Sequence, residues 1–93
     1  MSNTVDDLTI EYVEDGVTTV KQLDKMILSK GAWATVMFRY QDFDRTKEIY
    51  GPDKYAIRRY QKKDGEYKLK SKFTISSRDQ GEKIIDTLKQ WMD

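Results

Sequence analysis

Hydrophobic and polar positions alternate most regularly from Tyr67 to Ile75, where Tyr67, Leu69, Ser71, Phe73 and Ile75 interleave with Lys68, Lys70, Lys72 and Thr74. A period of two places the first set on one face of a β-strand and the lysines on the other. Trp33 to Phe43 alternates too, with Ala34, Val36, Phe38 and Tyr40 on one face and Thr35, Met37, Arg39 and Gln41 on the other. Lys54 to Gln61, rich in Tyr and Ile, predicts a third strand. Val20, Leu23, Met26, Ile27 and Leu28 predict a short, partly buried strand over 20–29, with a short helix as the competing reading.

Turn chemistry separates these segments. Lys63-Asp64-Gly65-Glu66 reads as a hairpin turn, because Asp-Gly supplies the positive φ that such turns need. Asp44 to Asp53 reads as a loop closed by Gly51-Pro52. In residues 1–20, Leu8, Ile10 and Tyr12 alternate ahead of an Asp15-Gly16 turn signal, which fits a frayed strand, a small hairpin or an acidic tail.

The pattern changes after Ile75. Ser77 and Gln80 have capping-box spacing, and Ile84, Ile85, Leu88, Trp91 and Met92 fall on one helical stripe. The expectation is an α+β domain: a four-stranded antiparallel sheet followed by one C-terminal amphipathic helix, ββββα. Residues 1–19 stand apart as an acidic segment, and 20–93 form the domain. One helix of about 15 residues covers only part of such a sheet. Tyr55, Leu88, Trp91 and Met92 are therefore the candidates for completing their burial in a homodimer.

If the apolar side of the last strand lies under the helix, Lys68, Lys70 and Lys72 face away from it. Lys54, Arg58, Tyr60 and Lys62 join them from the neighbouring strand and Arg39 from the strand before, while Tyr55 and Ile57 go to the core. Arg59 falls on the apolar side and is left out of the basic face.

Charge gives that face a meaning. The net charge of +1 conceals five acids and no base in residues 1–20, and eight basic side chains against Asp64 and Glu66 in residues 54–72. Cations two residues apart on a strand lie about 7 Å apart, near the phosphate spacing of a nucleic-acid strand, and an exposed aromatic among them stacks on a base. The helix is acidic outside (Asp79, Glu82, Asp86) and offers little to a major groove, so single strands are the expected partner.

Other chemistry is poorly supplied. With no Cys and no His, there is neither a thiolate metal site nor a His-based catalytic triad, and no cofactor is expected. The polar, acidic start is no secretory signal, and no apolar run approaches the ~20 residues of a membrane span. A cytoplasmic location is expected, or a nuclear one in a eukaryote. Pro52-Asp53 with Glu66-Tyr67-Lys68 mimics a metal-dependent nuclease pattern, and Asp42 with Asp44 a cation site; a hairpin and a solvated strand end account for them more simply. A protein-interaction module using the basic face without nucleic acid is the alternative function.

Four segments also carry a family resemblance: Arg39-Tyr40-Gln41-Asp42-Phe43, Tyr55-Ala56-Ile57-Arg58-Arg59-Tyr60, Asp64-Gly65-Glu66, and Phe73-Thr74-Ile75-Ser76 entering the helix. Across residues 33–92 the chain resembles the single-strand-binding domain of the transcriptional coactivator family called positive cofactor four. That resemblance implies a curved sheet backed by one helix, and a dimer whose channels hold single-stranded DNA, melted duplex included. It implies that Arg58 contacts phosphate, Phe43 stacks on a base, Tyr60 belongs to an aromatic pair, and Lys70 fills a basic position. The chain departs at Ala56 and Arg59, where the family has acids. It departs again at Ser71-Lys72 in place of Lys-Gly, and at Gln61 in place of a second aromatic. The acidic start replaces a Ser-rich regulatory region, so a bacterial or phage member in replication, recombination or repair is expected.

Overall fold

The computed structural model describes residues 4–93. A 3-10 turn at Val5–Asp7 precedes β1 (Tyr12–Glu14), β2 (Val17–Ser29), β3 (Trp33–Asp44), β4 (Ile49–Tyr50), β5 (Lys54–Lys63), β6 (Glu66–Ile75) and α1 (Arg78–Met92). The sheet is antiparallel in the order β1-β2-β3-β5-β6, with β4 paired to the end of β3. It therefore holds six strands rather than four. The additions are β1, a hairpin partner of β2 across Asp15-Gly16, and β4, inside the segment expected to be loop. Both residues of Asp15-Gly16 and of Asp64-Gly65 have positive φ, the signature of two-residue type I′ turns.

Register assigns the faces, because residues directly opposite in a ladder share one. Val36 lies opposite Arg58, Phe38 opposite Ala56, and Ala34 opposite Tyr60. Arg58 in turn lies opposite Lys72, and Ala56 opposite Thr74. This face is the core: Ala34, Val36, Phe38, Tyr40, Ala56 and Tyr60 are buried. The other face carries Trp33, Met37 and Arg39 on β3, with Tyr55, Ile57, Arg59 and Gln61 on β5.

The core face is covered by the N-terminal segment, whose Val5, Leu8 and Ile10 are buried in the same cluster. Polar contacts from β2 hold it there. The Lys25 ammonium donates to the carbonyls of Val5 (2.7 Å), Asp6 (2.9 Å) and Leu8 (2.7 Å). The Gln22 side-chain carbonyl accepts from the Ile10 amide (3.1 Å) and the Thr9 hydroxyl (2.7 Å). Residues 5–10 are thus part of the fold, and the 19/20 division falls within β2.

The helix does not cover the sheet as expected. Its cap forms, with Gln80 N–H donating to Ser77 Oγ at 3.2 Å, and Gln80 Oε1 accepts from Ser76 N–H at 3.0 Å. Yet none of its residues is buried, and Trp91 is 77% exposed. Its first turn lies against the end of β6, where a Cβ added at Gly81 would sit 3.5 Å from Ile75.

Candidate nucleic-acid interface

The basic residues divide between the two faces. A bulge in β6 causes much of this: Arg59 pairs with Ser71 but Tyr60 pairs with Leu69, so Lys70 is an extra residue. One inserted residue inverts the pleat beyond it. Lys72 and Thr74 face the core side, whereas Lys68, opposite Gln61, faces the other. The three lysines consequently do not share a face.

Arg39 is also displaced from the expected set. It pairs with Tyr55, on the side away from Arg58, and its guanidinium lies 3.5 Å from Asp53 and 3.9 Å from Asp24. The opposite assignment arose because the buried stripe of β3 is Ala34-Val36-Phe38-Tyr40, lying with Arg58 rather than under the helix. Tyr60 shares that buried side. It is 5% exposed, which leaves no ring face for a base, and its hydroxyl is buried without a hydrogen-bond partner among the described residues.

What remains is a compact basic site where β5 meets β6. Arg58 and Lys72 face each other across the two strands, and neither forms an ion pair among the described residues. Arg58 Nε is buried without a hydrogen-bond partner among the described residues. Both side chains line a cavity of ≈ 160 Å³ with Ile10, Val20, Tyr40, Asp42, Ala56 and Thr74. Asp42, its one acid, is engaged by the Lys54 ammonium at 2.6 Å. That hydrogen bond holds the Lys54 pKa above its ordinary value. The site presents two uncompensated cations, with Lys54 beside them as a neutralised pair.

Lys62 lies on the core-side lane of β5 opposite Tyr67, with its ammonium 5.5 Å from the centre of that ring. Phe43 is half-buried at the far end of β3 and meets Tyr50 edge-on at 5.1 Å. Lys21 lies 5.1 Å over the Tyr50 ring, and the Tyr50 hydroxyl donates to Thr18 O at 2.8 Å. The Phe43–Tyr50–Lys21 cluster was hidden in the sequence because β4 is only two residues long.

The side away from the core carries an apolar region. Met26, Met37 and Tyr55 line a cavity of ≈ 150 Å³ with Asp24, Lys25, Phe38 and Arg39. Phe73, opposite Ile57, is half exposed. On the helix, Ile84, Leu88 and Trp91 line a shallow groove with Gln80, Lys83 and Thr87, and Met92 is 78% exposed.

The nuclease pattern does not assemble. Asp53 lies just before β5, where Gln41 Nε2 donates to it at 2.8 Å, while Glu66 pairs with Lys63 at the other end of the strand. Ten residues separate Asp53 from Lys63, about 30 Å of strand, so Asp53 and Glu66 cannot grip one ion. Among the described residues no group of three or more acids forms a cation cradle, and no helix is long and apolar enough to cross a membrane.

No protein-family model, curated protein or solved structure matches this chain.

Proposed function

We propose that this protein binds single-stranded nucleic acid without sequence preference, along the β5–β6 side of its sheet, as a homodimer. The observation that carries this reading is the unpaired cross-strand couple Arg58–Lys72. Like charges placed directly opposite in a ladder destabilise it by up to about 1 kcal/mol, and an unpaired Arg Nε adds a desolvation cost. A chain with sixteen acids that leaves these two cations uncompensated has a site shaped for an external anion. Lys70 on the β6 bulge and Lys62 near the end of β5 extend the positive lane, as a backbone of successive phosphates requires.

The exposed helix supports the dimer. A helix of 15 residues with no buried side chain is marginal in water, and most helical stability comes from packing an apolar face. A second copy would cover both Leu88–Trp91–Met92 and the Met26–Met37–Tyr55 surface. Single-stranded DNA, melted duplex included, is the partner proposed, in replication, recombination, repair or transcription. The resemblance to the coactivator family agrees with this. Titration of a labelled single strand and its duplex across a salt series tests the reading.

A further inference from the structure

Trp33 opens β3 directly opposite Gln61, and Arg59 lies diagonally across the same pair of strands. The Arg59 guanidinium carbon is 4.4 Å from the indole centre, a stacked cation–π contact. Trp33 nevertheless stays 40% exposed. Hydrogen bonds fix this corner: Lys62 N–H donates to Ala32 O at 2.7 Å, and the Tyr67 hydroxyl donates to Gly31 O at 2.6 Å. The loop before Trp33 is thereby bound to the β5–β6 hairpin, so the indole is held on a preformed mount.

Its surroundings point to an anionic, aromatic ligand. Lys68 lies opposite Gln61 on the same face, and Lys30, Lys62 and Lys63 belong to the segments that frame the corner. The corner is at the end of β5 away from the start of α1, because Ile75, where the helix begins, pairs with Tyr55 at the other end of that strand. Lys70, the extra residue of the bulge, stands on the β6 edge between this corner and the Arg58–Lys72 site on the opposite face.

We infer that Trp33 and Arg59 form a stacking platform for an unpaired nucleobase, reached by a strand that passes from Arg58–Lys72 over the β6 edge past Lys70. An indole already stacked by a guanidinium offers a base both an aromatic ring and a planar cation, with lysines nearby for the adjoining phosphate. The inference rests on the proposed single-strand binding, and it adds a site on the face opposite Arg58.

The test uses Trp91→Phe protein, in which Trp33 is the remaining tryptophan. A fluorescein-labelled twelve-residue oligothymidylate is followed by anisotropy, and the unlabelled oligomer by Trp33 emission. The expected result is quenching of Trp33 that saturates with the same midpoint as the anisotropy. In the otherwise unaltered chain, Trp33→Leu should weaken binding about 5- to 150-fold with an unchanged salt slope. Arg59→Lys, which keeps the charge but not the plane, should weaken it as well. Anisotropy that reports binding while Trp33 emission stays constant and Trp33→Leu binds normally would overturn the platform and leave single-strand binding standing. Absence of any anisotropy change would overturn both.

Discussion

Arg58 on β5 and Lys72 on β6 face each other directly, with no carboxylate of the described residues paired to either. Like charges placed so lower the stability of the isolated protein, and the proposed function gives them an anion to bind. Lys72→Ala should weaken single-strand binding and lower the slope of log affinity against log salt by about 0.7, the release of one counterion. Its unfolding free energy should stay level or rise by up to about 1 kcal/mol. Salt-series anisotropy and urea denaturation check the two halves separately.

The N-terminal segment is predicted to behave as core and not as a tail. Leu8→Ala should cost about 2–5 kcal/mol by emptying a buried site. Lys25→Met, which removes the ammonium from three carbonyls, should cost about 1.5–3 kcal/mol. Denaturant midpoints measure both, and wild-type stability in either variant would refute the clamp.

Leu88→Asp should convert a dimer to a monomer in sedimentation, because it places a charge in the apolar groove of the helix. Helical circular dichroism should fall with it, since α1 would lose its covering partner. A wild-type chain that sediments as a monomer at micromolar concentration contradicts the dimer.

Lys54 should titrate above its ordinary value of 10.5, and Asp42→Asn should lower it, as read by NMR of the Lys54 side chain. The sign follows from the raised folded-state pKa. The stability contributed by this pair is fully present below 10.5 and is lost as pH climbs through the higher folded value. A Lys54 pKa unchanged by Asp42→Asn would show that the hydrogen bond does not hold it.

Much of this was legible in the sequence. Period two located β3, β5 and β6, Asp64-Gly65 fixed the hairpin, and Ser77 capped the helix. Alternation also separated Arg58 from Tyr55 and Ile57, but it sent those two to the core, whereas the buried face is the one that Arg58 shares with Ala56 and Tyr60. What it could not reveal was the bulge, because an extra residue at Lys70 leaves the written pattern intact while moving Lys68 to the other face. Nor does alternation say which stripe of β3 is covered. Val5, Leu8 and Ile10 decided that; Leu8 and Ile10 alternate, but nothing in that spacing says which stripe of β3 they cover, and Val5 joins them through a 3-10 turn. Trp33 escaped notice for a related reason: its partner Arg59 is on a neighbouring strand, and only register brings the two together. Gln61, where the resemblance lacks an aromatic, lies directly opposite that same Trp33.

Salt-series anisotropy of the full chain with a labelled oligothymidylate, against a duplex of equal length, tests the central claim most directly. The account predicts tighter binding to the single strand, with log affinity falling steeply and linearly as log salt rises. Equal weak binding to both, or an affinity indifferent to salt, would contradict it.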